Sequence, residues 1–382
     1  MTAIDATVDE LASNPHPILA RARRLGSVVR LDALDAWLVT ERATAVAVMR
    51  DPETFTVDDP RFSTGQVIGA SMLSTDGAEH RRHREPFNDW FSSGQALTNL
   101  DGWIRGEVAH LVEAIFDEGQ AELRSVLAAP LAANTVTHLL GLDPSGSDDL
   151  VHWYRDIVEA VHTITVGGEP GPGVASTSRE LRAATLAAAD NGRANALARA
   201  RQILGDDDLA ANAAVIAFGG IETAEGTIAN ALWHLLADRE IHATIVQDPT
   251  LVPVFVEESL RLEPAAANID RYTTTDTRLG EVDLRAGDYV IVSLAAANRD
   301  PAVFHEPDIL RLDRPNARLH TTFARGPHAC LGIHIARAQT IATIETVLDR
   351  LPGLTLDTNA SAPPSGLVFR KPPAVTVTWD PP

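Results

Sequence analysis

The sequence predicts a mainly α-helical fold with small β-sheets at its margin, and three observations lead there. Apolar residues recur at helical spacing through most of residues 100–262. Strand-like runs are confined to the flanks: after residue 26, after residue 270 and near residue 370, each cut by glycine or turn residues. No internal repeat or low-complexity linker divides the chain, so its 382 residues are expected to form a single domain, 1–382.

In chain order, "GSVVRLDALDAWLVT" reads as strands, and "TERATAVAVMRDP" as a helix closed by Pro52. "GWIRGEVAHLVEAIFDEG" and "SDDLVHWYRDIVEAVHTI" carry apolar residues at helical intervals, the second behind an acidic first turn. "GGEPGPG", residues 167–173, reads as a mobile loop between two helices. A long apolar helix covers "LAANAAVIAFGGIETAEGTIANALWHLLA", residues 209–237. Strands return in "RYTTTDTRLGEVDLRAGDYVIVSL" and "SGLVFRKPPAVTVTWD".

Composition excludes several function classes. A net charge of −20 with pI near 5.0 argues against nucleic acid or an anionic membrane as the main partner, since both need clustered Lys and Arg. A single cysteine excludes an internal disulfide framework and fits a reducing compartment. The N-terminal stretch lacks the basic segment and apolar core of a signal peptide, so a cytoplasmic location is expected. The low-charge stretches 125–142 and 209–221 read as buried helices rather than membrane spans.

Four motifs carry the chemistry. In "TTFARGPHACLGIHIARAQT", Cys330 lies at or just before a helix N-terminus, where free N–H groups and the helix dipole favour a thiolate. Such a thiolate can be a nucleophile, a metal ligand or an axial haem ligand, although a lone cysteine is more often a small buried hydrophobe. Phe323, Gly326, His328, Cys330 and Gly332 together spell F-x-x-G-x-H-x-C-x-G. In "EESLRLEP", Glu258 and Arg261 stand three apart and can pair on one helix face, which alone says little. Gly219 and Gly220 interrupt the apolar helix just before Glu222 and Thr223; the simplest explanation is a close helix crossing. In "DGAEHRRHREPF", His80 and Arg84 share a helical face and would ordinarily be surface charges.

Taken together and in this chain order, the motifs resemble the cytochrome P450 haem-thiolate monooxygenases of the soluble bacterial kind, from about residue 75 to residue 332. The resemblance implies haem b with Cys330 as axial ligand to iron, Phe323 near the sulfur, and Gly332 closing the loop. It implies that His80, Arg84, Arg271 and His328 bind the haem carboxylates, and that Gly219 and Gly220 open a groove for O₂. Thr223 then stabilises the activated oxygen while Glu222 helps deliver protons. Three departures stand out: Ala324 where the family usually has glycine, Leu310 where an aromatic is common, and Ala224 in place of a second threonine. The family pattern also pairs Glu258 and Arg261 with a later arginine, Arg314.

The implied activity is insertion of one oxygen atom from O₂ into a small hydrophobic or amphipathic substrate by a monomeric enzyme. Electrons come from a ferredoxin and its reductase, with no nucleic-acid or membrane partner. Ile68 to Leu73, Ile157 to Thr163, Ala214 to Gly219, Ala267 to Ile269, and Val368 to Phe369 are expected to line the substrate cavity. Arg82, turned away from His80, and Arg325 are expected to offer a local positive patch to an acidic ferredoxin. Competing readings are a peroxide-driven or non-oxygenating enzyme of the same fold, a haem-based ligand binder, and a cysteine hydrolase using Cys330 with His328 or His334 as base.

Overall fold

Both periodicities read in the sequence are realised. The computed structural model describes residues 3–92, 94–143, 147–165, 168–169, 171, 173–192 and 195–380. The chain groups into two compact units, each assembled from separate stretches: Met1–Phe55 with Asp101–Ala129 and Thr223–Pro382, and Thr56–Leu100 with Pro130–Glu222.

The first unit holds the sheets. Five strands of its largest sheet run in the order Ala3–Ile4, Val28–Leu31, Ala36–Val39, Tyr289–Ser293, Asn268–Thr273. Tyr289–Ser293 lies parallel to Ala36–Val39, with Leu38 opposite Ile291, and antiparallel to Asn268–Thr273, with Arg271 opposite Val290. Side chains alternate across a strand, so this sheet is buried on both faces. Ala36, Leu38 and Ile291 pack with Leu19 and Ala22 of the helix His16–Leu25. Trp37, Val39, Val290 and Val292 pack with Val48 and Met49 of the helix Arg42–Arg50. Fully burying one such side chain stabilises the fold by about 1.5–3 kcal/mol. A two-stranded ribbon pairs Thr277–Leu279 with Val282–Leu284.

A three-stranded sheet places Gln120–Glu122 beside Thr376–Thr378, which in turn pairs with Thr355–Leu356. The strand Gln120–Glu122 falls in the stretch expected to be mostly helical. Its three residues follow Gly119, whose φ of +69° ends the preceding turn, and they are held as a strand by partners far along the chain.

The second unit is helical: Ser63–Ile68, Gly77–Ser92, Ser147–Thr165, Val174–Asp190 and Ala196–Ala200, together with the first half of the helix Asp206–Ala237. That long helix opens on Asp206, Asp207 and Asp208, whose charges suit the positive end of its dipole. Its residues are buried over most of its circumference, as expected of an apolar helix that crosses a core. Among the described residues, no helix is long and apolar enough to cross a membrane. The loop expected at 167–173 lies partly outside the described residues, which here include 168, 169, 171 and 173.

Candidate active site

In the first unit, a chain of backbone hydrogen bonds sets the cysteine loop. Ala324 N–H donates to Thr321 O at 2.8 Å, Ala329 N–H to Gly326 O at 3.1 Å, and Cys330 N–H to Phe323 O at 2.9 Å. Gly326 has φ +78°, and a Cβ there would lie 2.3 Å from Met49 O, so no other residue fits against the end of the Arg42–Arg50 helix. Gly332 caps the helix Ile333–Arg350 in an ordinary conformation. Cys330 therefore lies two residues ahead of the cap. Cys330 is an exposed residue of this loop. His328 is half-buried in the same loop.

Ala324 takes φ +55°, a left-handed conformation that suits glycine, at the position where the sequence departs from the family pattern. Ala324→Gly is expected to relieve that strain and raise unfolding stability by up to about 1 kcal/mol, less what the freer unfolded chain takes back. A denaturant midpoint equal to or below wild type would contradict this.

Behind the loop is a cluster that sequence reasoning missed. Buried Phe323 lies under the Arg337 guanidinium, 4.9 Å from the ring centroid, and against the His320 ring at 5.8 Å. Arg337 grips Glu257 with two hydrogen bonds of 2.6 and 3.0 Å, and His320 Nε2 donates to the same carboxylate at 3.1 Å. Burial would raise Glu257, but the hydrogen bonds from His320 and Arg337 outweigh it and hold the carboxyl down to about 2. Thr322 N–H donates to His320 Nδ1 at 3.3 Å, which assigns the neutral Nε2–H tautomer. Burial accordingly pushes His320 below the usual histidine value. Glu257 adjoins the recognised Glu258, and its role could have been suspected from the doubled acid in "EESLRLEP".

Glu258, Arg261 and Arg314 form the expected network. Arg261 donates to Glu258 at 2.7 and 3.0 Å, Arg314 Nε donates to Glu258 at 2.9 Å, and all three side chains are buried. The remaining guanidinium protons reach backbone carbonyls: those of Arg261 reach Asn298, Pro307 and Ile309, and those of Arg314 reach His305, Glu306 and Ile309. The aromatic contact comes from buried Phe304, whose ring lies 5.2 Å from the Arg261 guanidinium, rather than from position 310. Arg271 is buried on the strand Asn268–Thr273 and donates to Asp270 O at 2.6 Å. Two segments expected to line the substrate cavity meet in this unit, where Ala267 N–H donates to Val368 O at 2.8 Å.

In the second unit, His80 is buried and Arg84 half-buried on one face of the helix Gly77–Ser92. Arg82, expected to contribute free positive charge, does not. Its guanidinium hydrogen-bonds the Glu79 carboxylate and pairs with Asp208 at 2.8 Å, so two carboxylates offset it. Between these residues, fully buried His83 accepts at Nδ1 from Asn212, 2.7 Å away, whose Oδ1 accepts from Met72 N–H at 2.9 Å. Neither His83 nor Asn212 had a sequence signal. Met72 belongs to the segment Ile68 to Leu73.

Arg325, the other arginine expected in a positive patch, has guanidinium neighbours beside the cysteine loop. A Cβ on Gly326 would sit 3.1 Å from Arg50 Cα, which places Arg50 against the loop. Arg325 is held below the usual arginine value by burial and by the neighbouring guanidiniums of Arg42, Arg50 and Arg337. Of these four, Arg337 pairs with Glu257. Arg50 is exposed.

On the helix Asp206–Ala237, the two glycines answer different needs. A Cβ on Gly220 would lie 2.8 Å from Val136 Cγ2, which is the close helix crossing; a Cβ on exposed Gly219 would meet nothing within 4 Å. The helix runs unbroken through both. Glu222 is buried and accepts a hydrogen bond from the Tyr154 hydroxyl, a partner absent from every motif. Thr223 follows it, half-buried. Among the described residues, no group of three or more His, Cys, Asp or Glu could hold a metal ion.

A family model for cytochrome P450 matches residues 179–376. Nocardicin C N-oxygenase of Nocardia uniformis subsp. tsuyamanensis is 30% identical over 402 residues, covering 97% of each chain. Mycinamicin IV hydroxylase/epoxidase of Micromonospora griseorubida is 30% identical over 361 residues, covering 90% of each. Among solved structures, that of CalO2 superposes with a TM-score of 0.89 at 27% identity over the whole of both chains. Agreement of that extent, in a chain whose one cysteine is Cys330, makes it a member of the cytochrome P450 family, an oxidoreductase and monooxygenase whose haem iron is held by a cysteine thiolate.

Proposed function

We propose that this enzyme inserts one oxygen atom of O₂ into a small hydrophobic or amphipathic molecule, working as a cytoplasmic monomer served by a ferredoxin and its reductase. The observation that carries the proposal is the placing of Cys330 in a loop set by backbone bonds and by Gly326, where no side chain fits. Cysteine hydrolysis falls with membership of the family, and retention of Glu222 and Thr223 speaks against a peroxide-driven or non-oxygenating reaction.

The donor chemistry suits the cofactor: Cys330 would supply one thiolate for iron, and the resemblance to the family would have the imidazoles and guanidiniums of His80, Arg84, Arg271 and His328 serve its two carboxylates. Bound haem supplies O₂ binding and O–O cleavage, which a thiolate ligand favours by pushing electron density onto iron. Cys330 would hold the iron, and the bond from Cys330 N–H to Phe323 O holds Cys330. Glu222 and Thr223, consecutive on one helix, supply and hold the protons: Glu222 at its carboxyl and Thr223 at its hydroxyl, beside the open space at Gly219. The relatives' names include N-oxygenation of nocardicin C and hydroxylation or epoxidation of mycinamicin IV, consistent with a small-molecule tailoring substrate for this chain.

Thr223→Ala tests the oxygenase reading. Because Thr223 is proposed to hold a proton and not the substrate, substrate affinity from Soret titration is expected to stay near wild type. Product per electron consumed falls severalfold while released hydrogen peroxide rises. Unchanged coupling would assign proton transfer to another group.

The donor is proposed to dock beside the cysteine loop, at Arg42, Arg50 and Arg325, a local positive patch on a chain of net charge −20. Arg50→Glu is expected to slow ferredoxin reduction of the ferric enzyme severalfold at low salt. The difference should fade toward ~1 M salt, where the Debye length is about 3 Å. A salt-independent rate in stopped flow, or a mutant rate equal to wild type, would place docking elsewhere.

A further inference from the structure

We infer that Tyr154 is a positioning residue for the Glu222 carboxylate, tying proton delivery on the helix Asp206–Ala237 to the position of the helix Ser147–Thr165. The inference rests on the proposal that Glu222 delivers protons. Glu222 is 6% exposed and Tyr154 7%, and the tyrosine hydroxyl donates to the carboxylate. A buried carboxylate needs hydrogen-bond donors, and the direction of a donor decides which way its oxygens point. Phe218, one turn earlier, and Ile221 beside it are buried and apolar, so they orient nothing by hydrogen bonding.

The helix that carries Tyr154 has a second attachment. Thr165, at its far end, shares a hydrogen bond of 3.1 Å with Ser63 of the helix Ser63–Ile68, which leads into the segment Ile68 to Leu73. Tyr154, Ile157 and Val161 follow one another at helical spacing and are all buried, so they form one stripe. Ile157 to Thr163 and Ile68 to Leu73 are both proposed to touch substrate. A guest that moves this helix therefore moves the hydroxyl on which Glu222 is aimed, and substrate fit becomes a condition for proton delivery. Gly220 lets Val136 approach the carboxylate's own helix closely at the same level.

The experiment uses ferric holoenzyme without substrate, and Tyr154→Phe, which keeps the ring and removes only the donor. The infrared difference between wild type and Glu222→Gln isolates the Glu222 carboxylate bands; the same difference is then taken in the Tyr154→Phe background. The bands are expected to move when the hydroxyl is removed, and identical bands in the two backgrounds would overturn the inference. In parallel, the share of reduced O₂ released as hydrogen peroxide is measured with a surrogate ferredoxin and reductase. Tyr154→Phe should raise it severalfold, and the double variant should match Glu222→Gln alone, since the tyrosine acts only through the acid. A double variant worse than Glu222→Gln would overturn the inference while leaving Glu222 its role. If Glu222→Gln itself leaves the share unchanged, the proton-delivery reading fails and the inference falls with it, whatever the infrared bands show.

Discussion

Cys330→Ala is expected to abolish oxygenation and to remove the strongly red-shifted Soret band that thiolate-ligated haem shows when reduced and exposed to CO. The chain has one cysteine, so no second thiol can take its place. Cys330→Ser and Cys330→His should retain haem with altered spectra. The fold should survive, because the Cys330 side chain is exposed and the loop is held by the backbone bond from Cys330 N–H to Phe323 O. Unfolding of the apoprotein should therefore change by no more than about 0.5 kcal/mol. A wild-type CO spectrum in Cys330→Ala would overturn the assignment of the ligand; an intact melting curve with no thiolate band would support it.

Glu258→Ala should have the largest effect on stability, about 3–5 kcal/mol, because it leaves the guanidiniums of Arg261 and Arg314 buried without their counter-charge. Urea unfolding of the apoprotein measures it, and a loss below about 1 kcal/mol would show that the backbone carbonyls around the two arginines suffice. The same network has a pH signature. Burial opposes ionisation of Glu258, but hydrogen bonds from Arg261 and Arg314 outweigh it and hold the carboxyl below the usual range. Hydrogen bonds from His16 and Arg370 likewise hold buried Glu263 down to about 2. A carboxyl lowered in the folded state contributes stability that is fully present above its unfolded value and lost as pH falls through its folded one. For Glu257 and Glu263 that window runs from 4.5 to about 2. Wild type should lose stability steeply there, and Glu258→Ala less steeply, since one of the linked carboxylates is gone.

How far the site could be read in advance differed by residue. The cysteine loop was legible because ten residues impose its geometry through glycines and backbone bonds between near neighbours. Glu258 with Arg261 was legible for a similar reason: three residues on a helix are one face. Arg82 was misjudged by the same kind of argument. Helical geometry correctly left it partly exposed, but Asp208, at the start of a different helix, joins Glu79 in offsetting its charge. Leu310 suggested a missing aromatic, while Phe304 supplies one from six residues earlier.

The sequence by itself determined the mainly helical class, the placement of strands at the flanks, the family and the thiolate ligand. Each of these is written in periodicity or in short motifs, where distance along the chain stands for distance in space. Tertiary structure alone decided which groups meet across the chain. It set Arg337 and His320 on Glu257, Val136 against Gly220, Asn212 between His83 and Met72, and the Tyr154 hydroxyl on Glu222. Those contacts depend on how helices pack, and packing is settled by the sum of many buried apolar surfaces rather than by any local pattern. The strand Gln120–Glu122 shows the same limit in the backbone: three residues become a strand because Thr376–Thr378 arrives beside them.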